Sequence, residues 1–534
     1  MNKKEIFLYS PSPKKTDAVK VWFGFPATYH IGMSALGYLS LFKLLDTHEN
    51  AHPERIFSDT TTTSHKKNEV ELFGFSFSFE FDFLSIFKTL ENYGIPLFAK
   101  DRTEEHPIIF AGGPVISVNP EPFADFFDFL MIGDGENITN IIDSIYQNRT
   151  LSKSEKLIEL SKIEGIYVPS LYKIEYNEDF SIKNIYPEIK VKKSTKKQLK
   201  CMYSAIITED TMFKNNCLIE IARGCPNRCA FCIASYANLP FRFPPYNEII
   251  DAIEQGIEKV GKIGLLGALV TAHPEFDKIT DYLLSKLDEK EFEVSISSLR
   301  ADKIERKTIQ MLKKAGQKSA TIAVEAGSQR LRNFINKNLT TEQIFETVKT
   351  ISEEGLSAIK IYSMIGLPSE TMDDIKELAE LMIELNKKNR SLSLTLSSSS
   401  FVPKAQTPFQ RYGREDAKVL KEKNDYLKKI LHINGIKYRP TSVKWDNIQG
   451  LLSRGDRRLA PILVEFYKYS ASLGSINRAY KECQEKIPNL PPFEWYSQRI
   501  FEKDEILPWN MLEFSHSKDY LEKELLRLKN LETK

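Results

Sequence analysis

A chain of 534 residues with 42% hydrophobic and 27% charged residues has an ordinary globular make-up, which excludes a disordered or fibrous chain and leaves room for roughly two to four domains. Its net charge of +2 implies no obligatory polyanionic partner, although a local basic patch is compatible with it. Six cysteines, three of them in one short loop, do not form a disulfide framework, and no apolar run reaches the ~20 residues a membrane-spanning helix needs.

Met1 to Phe7 lead into no apolar h-region, so no signal peptide is expected and the expected location is cytoplasmic. Residues 1–190 hold no cysteine and alternate strand-like with helix-like stretches. The predicted strands are 19–25, 71–79, 107–111 and 126–132; the predicted helices include 35–45 and 83–93. Gly112-Gly113-Pro114 and Gly133-Asp134-Gly135-Glu136 follow two of these strands, either as plain turns or as backbone facing a phosphate-like group. The alternation predicts a parallel, Rossmann-like α/β domain over 1–190. A basic connector follows at 191–215, part of a run containing Lys190, Lys192, Lys193, Lys196, Lys197 and Lys200. Such a run reads as solvated, with nucleic-acid contact as the alternative.

A short apolar strand, 218–222, then runs into Cys225-Pro226-Asn227-Arg228-Cys229-Ala230-Phe231-Cys232. This C-x3-C-x2-C spacing aims three thiolates at one soft metal centre. No fourth Cys or His lies near the loop, so a cluster with one open iron leads over a closed zinc site. Five more strands are predicted at 263–268, 292–297, 319–325, 358–364 and 391–399, alternating with helices. Six strands in this pattern predict a partial parallel barrel over 216–410, with its chemistry at the carboxyl ends of the strands. The 411–534 region reads as helical. Its Leu452-Ser453-Arg454-Gly455-Asp456-Arg457-Arg458 segment either holds an anion or, as the favoured reading, staples the tail to the barrel. Cys201, Cys217 and Cys483 are too dispersed to suggest a second cluster.

The cysteine spacing, with Phe231 as the aromatic before the last cysteine, resembles the signature of the radical S-adenosylmethionine (SAM) enzymes. The resemblance implies a [4Fe–4S] cluster on Cys225, Cys229 and Cys232, with SAM chelating the open iron. It implies reductive cleavage of SAM to a 5′-deoxyadenosyl radical, a reductant such as flavodoxin or ferredoxin, and a substrate it does not identify (small molecule, RNA or protein). It also implies cofactor contacts at Phe231, at Gly267 and Ala268 (where the usual Gly-Gly-Glu is missing), and at Ser298 and Arg300. Further contacts are implied at Glu325 and Ser328, in a segment like Glu-x-Gly-Ser, and at Gly366 and Pro368, in a turn like Gly-Leu-Pro-Gly-Glu-Thr.

Segments such as IFAGGP and NPEPFADFFDFLMIGDGE resemble the domain ahead of the barrel in a poorly characterised bacterial group of radical SAM proteins, a domain related to cobalamin-binding ones. A cobalamin-dependent methyltransferase is therefore the alternative function, and an iron–sulfur electron carrier or scaffold a third. Methylthiotransferases share a similar barrel but carry three further N-terminal cysteines that this chain lacks. The loop Thr28-Tyr29-His30-Ile31-Gly32-Met33 resembles the cobalamin motif Asp-x-His-x-x-Gly with Thr28 in place of the Asp that orients the His. For that reason His30 is expected not to ligate cobalt.

Overall fold

The N-terminal sheet has six strands in the spatial order Ala51–Phe57, Val19–Phe25, Leu72–Ser76, Ile108–Gly112, Phe129–Met131 and Ile166–Tyr167. All pairs are parallel except the last, which is antiparallel. The order 2-1-3-4-5 is the flavodoxin-like one, whose switch point lies between the first and third strands. The strand Ala51–Phe57 is not predicted by the sequence because Pro53 lies inside it; the sheet accommodates that proline by placing the strand at its edge. The computed structural model describes residues 4–487, 489–516 and 518–532. Met1–Lys3, part of the segment expected to carry no signal peptide, lies outside the described residues.

The period-2 alternation of these strands gives each face its own core. Val19, Val21 and Phe23 pack with helices Leu36–Asp46 and Ile138–Gln147. Trp22, Phe73 and Phe75 face the other way, onto helix Asp82–Asn92. That second core continues without a break into the C-terminal region, through Leu451, Leu459, Leu463, Phe466, Tyr496 and Trp509.

The barrel is built from two parallel sheets. Cys217–Glu220, Lys262–Leu266 and Glu293–Ile296 form the first; Ser319–Glu325, Ala358–Ile365, Ser393–Ser400 and Lys437–Pro440 form the second. A Leu299–Ile322 bridge joins them. The six expected strands are all present, and the seventh, Lys437–Pro440, extends the sheet past the last of them. Ile219, Ile263, Val294, Ile322, Ile361 and Leu396 point outward onto the surrounding helices.

The basic run expected to be solvated is also tied down at several points. Val191–Lys192 pairs with Leu512–Glu513, Ile206–Thr208 pairs with Glu5–Phe7, and Lys193 is buried. Lys190, Lys192, Lys196, Lys197 and Lys200 remain exposed. Among the described residues no helix is long and apolar enough to cross a membrane.

The carboxyl edge of the N-terminal sheet faces the carboxyl mouth of the barrel. Asp134, just past the fifth strand in the chain's parallel series, meets Arg223 and Arg242 of the cysteine loop. Glu80, past Leu72–Ser76, meets Lys404, past the sixth barrel strand.

Candidate active site at the barrel mouth

The cysteine loop begins where Gly224, at a φ of 79°, turns the chain out of the first barrel strand. A Cβ there would lie 2.6 Å from the Asn238 carbonyl oxygen, so only glycine fits both the backbone and the space. Arg223 and Arg242 pair their backbones and close the loop at its base. Their guanidinium groups fix that base to the N-terminal sheet. Arg223 bonds Glu220, Asp134 and Glu136, while Arg242 bonds Asp134. The acidic part of Gly133-Asp134-Gly135-Glu136 thus serves as a clasp. Gly133, at a φ of 101°, lets the turn pass against the Ser194 carbonyl.

Two more ties hold the loop. The Lys193 ammonium donates to the carbonyls of Ala237 and Leu239 at 2.8 and 2.7 Å, and burial brings its pKa down to about 8. On the far side Asn336 donates to the Asn227 and Arg228 carbonyls, and the Ala230 N–H donates to the Ile335 carbonyl. The C-terminal helix Lys518–Glu532 completes the packing, with Arg527 on Asn336 and Leu528 in a small apolar cluster. Phe231 packs against that cluster, beside Phe334, Phe401 and Phe409.

Cys225 and Cys229 are buried and Cys232 is partly so. Burial pushes the Cys229 thiol up to about 11, while Lys337 and Arg300 pull it down. The Arg300 guanidinium stands 3.8 Å from the Cys229 sulfur and is held by Asp302 and the Lys337 carbonyl. Lys337 in turn pairs with Glu325 at 3.2 Å. Burial raises the Cys232 thiol, against backbone N–H groups of Ser235 and Ala234 that lower it.

This donor set fits an iron–sulfur cluster. It offers three soft sulfurs, two nearby cations to offset thiolate charge, and a single loop to hold them. The fit is one of donor chemistry: among the described residues no three His, Cys, Asp or Glu side chains, these cysteines included, are drawn together around one metal position. The remaining cysteines lie elsewhere: Cys217 in the barrel's outer core, Cys201 against the Glu220 carbonyl, and Cys483 in the C-terminal core.

The other sequence-predicted residues divide into two groups. Gly267 and Ala268 follow the second strand, where a Cβ on Gly267 would stand 3.1 Å from the Ala222 carbonyl oxygen. Ser298 is half-buried after the third strand, and Glu325 ends the fourth at a bulge with a φ of 68°. That left-handed backbone is uncommon for a residue with a Cβ. Arg300, expected to touch SAM, spends its donors on Cys229 and its neighbours. Ser328, also expected near SAM, caps helix Gln329–Phe334 and donates to buried Asp374. Gly366, at a φ of 75°, opens a turn in which its N–H donates to Glu370, and Ser369 (φ of 64°) stands where the similar turn has glycine. Half-buried Pro368 lies in the same turn.

His30 departs from expectation in its surroundings. Asp210, 180 residues away in sequence, has a carboxylate oxygen 3.0 Å from its Nδ1, placed to accept from that nitrogen, where Thr28 offers no carboxylate. The pair is about half exposed, and Ile31 and Met212 stand exposed beside it. The tail arginines serve as staples, but to the N-terminal region and within the tail itself rather than to the barrel. Arg457 binds Glu121 and Tyr167 of the N-terminal region, Arg454 donates to the carbonyls of Tyr496 and Arg499, and Arg458 pairs with Asp456.

Residues 37–169 match the family model for the N-terminal region of radical SAM proteins, and residues 219–382 match that of the radical SAM superfamily. The uncharacterized protein MJ0966 of Methanocaldococcus jannaschii is 31% identical over 72% of this chain and 78% of its own length. The ribosomal protein uS12 methylthiotransferase RimO of Desulforamulus reducens is 26% identical over 37% of this chain and 46% of its own, so less than half of that relative is matched. The fold is like that of the radical SAM methyltransferase TsrM from Kitasatospora setae, solved with cobalamin and a [4Fe-4S] cluster. The TM-score is 0.51, with 12% identity over 74% of this chain and 77% of that one. The chain belongs to the radical SAM superfamily of enzymes.

Proposed function

We propose that the protein binds a [4Fe–4S] cluster on Cys225, Cys229 and Cys232 and reductively cleaves SAM to modify a substrate held in the barrel. The observation that carries this reading is the clamped loop, which carries Cys225, Cys229 and Cys232 at the barrel mouth with the Arg300 guanidinium against the Cys229 sulfur. When bound, the cluster and SAM would supply one-electron chemistry and a carbon-centred radical. The chain's own residues prepare the place for them. Arg300 orients and polarises the Cys229 sulfur. The Arg223–Asp134–Arg242 clasp fixes the loop's base, and Phe231 with the C-terminal helix shields its outer side from water. Glu325, Ser298 and the Gly366–Pro368 turn ring the mouth and are the residues proposed to contact SAM. Ser328 is assigned instead to positioning, as the cap behind Glu325. The cytoplasm and a flavodoxin or ferredoxin reductant belong to the same proposal.

A second reading adds cobalamin and methyl transfer. It rests on the flavodoxin-like strand order and on the exposed His30–Asp210 pair beyond the first strand. Iron and sulfide analysis after anaerobic reconstitution tests the first reading. About four of each per chain are expected, since one cubane carries four, and each Cys→Ala variant of the three should lose most of them. Co(II)-cobalamin loading tests the second: nitrogen splitting in its paramagnetic resonance spectrum that vanishes in His30→Ala would establish ligation.

A further inference from the structure

The mechanism leaves one polar surface of the barrel unused: the inner face of its second sheet. The register places two rows of residues across it. One row runs Thr321, Lys360, Thr395, Lys437; the next, toward the mouth, runs Ala323, Tyr362, Ser397, Arg439. The intervening residues Ile322, Ile361 and Leu396 are packed onto the outer helices, so the period-2 alternation turns both rows inward. Tyr438, between Lys437 and Arg439, confirms the direction by bonding outward to Asn424 of helix Ala417–Ile433.

This face differs from the rest of the mouth in its charge bookkeeping. Arg223, Arg242, Arg300 and Lys337 each hold a carboxylate. Among the described residues neither Lys360 nor Arg439 does, and neither row contains an acidic residue. Lys360 reaches toward the mouth, donating to the Tyr362 hydroxyl at 3.1 Å with its ammonium 4.6 Å from the ring centre. Tyr362 is 37% exposed although it lies mid-strand, so the chamber is open to solvent at this level. A concave wall of cations and hydroxyls, with no acid among them, favours negative charge in whatever enters. Tyr362 lies three residues below Ile365 at the strand end, roughly 10 Å at 3.3 Å per residue. The wall is therefore deeper than the loops assigned to SAM.

We infer that this wall is the substrate-recognition surface and that it takes an anionic group, phosphate or carboxylate, between Lys360, Tyr362 and Arg439. The inference deepens the proposed function, since it rests on the barrel being the substrate chamber. Arg439 offers a planar fork of donors to such a group, Lys360 a point charge, and Ser397 and Thr395 hydroxyls between them.

The test is calorimetric titration of the cluster-free full chain with inorganic pyrophosphate in one arm and citrate in the other. Saturable binding is expected in at least one arm, and the tighter arm identifies the source of the charge. Lys360→Met and Arg439→Gln should each weaken it by about tenfold, the scale of one charge-assisted contact. Lys421→Met, on the outer helix, should leave it unchanged. If Lys360→Met does not fold, Tyr362→Phe serves in its place and should also weaken binding. No saturable binding in either arm, or equal loss in the Lys421 control, overturns the inference. Because the titration uses no cluster, binding without SAM cleavage would leave the wall standing and remove the proposed function, and the reverse result would do the opposite.

Discussion

The N-terminal sheet makes two seams of opposite character. Toward the C-terminal region the seam is apolar: Phe83 lies 6.4 Å from Phe466, ring to ring, inside a core that runs from Trp22 to Trp509. Toward the cysteine loop it is ionic, with Asp134 and Glu136 gripping Arg223 and Arg242. Apolar burial is strong and non-directional, so the first seam binds without dictating angles. Charge-assisted hydrogen bonds are directional, so the second fixes where the loop's base stands. Stability and positioning are thus assigned to different edges of one sheet.

The largest effect should come from the apolar seam. Phe466→Ala removes a fully buried ring and should cost about 3–5 kcal/mol in urea unfolding, with N- and C-terminal probes destabilised together. Separate unfolding of the two regions would break the idea of one continuous core. A smaller loss is expected at the ionic seam. Asp134→Asn leaves Arg223 with Glu220 and Glu136, so mainly Arg242 loses its partner, at about 1–3 kcal/mol. Its sharper signature is lower iron retention after reconstitution at unchanged secondary structure. Full retention would show that the clasp does not position the loop.

Within the site, Arg300→Met removes a cation and an N–H donor from Cys229, and hydrogen bonds to cluster sulfurs help set their potential. The reconstituted variant should be harder to reduce, with a midpoint lower by about 59 mV if the reduced-to-oxidised ratio falls tenfold. An unchanged midpoint would limit Arg300 to packing. A further effect concerns pH. Burial, with Lys193 and Arg228 adding to it, lowers the pKa of His516 to about 4. The folded chain therefore binds fewer protons than the unfolded one between about 6.5 and 4. The contribution of neutral His516 is present above about 6.5 and is lost as pH falls through about 4. His516→Phe should flatten that part of the stability profile, and an unchanged acid limb would contradict the assignment.

How much of this was legible in the sequence differs between the seams as well. The six barrel strands and the cysteine loop were, because each is a local pattern of apolar alternation, glycine and cysteine spacing. The edge strand Ala51–Phe57 was hidden by Pro53, whose cost depends on a neighbour the sequence does not name. Gly133–Glu136 read equally as a turn or an anion site, since its partners Arg223 and Arg242 lie 89 and 108 residues beyond Asp134. The expectation about His30 weighed only the local motif, and Asp210, whose carboxylate meets the imidazole, lies far outside it in sequence. Arg300 and Ser328 were found as mouth residues, but their partners, a cysteine and an aspartate on other elements, decide what they do.

The central claim is that the clasped loop makes a SAM-cleaving centre. The most direct measurement is anaerobic reconstitution of the full chain, reduction with dithionite in the presence of SAM, and quantification of 5′-deoxyadenosine. The wild-type chain should release it over multiple turnovers, and Cys229→Ala should release none above the protein-free background. A fully reconstituted wild type that yields no 5′-deoxyadenosine, or a Cys229→Ala chain that yields as much as wild type, would contradict the account.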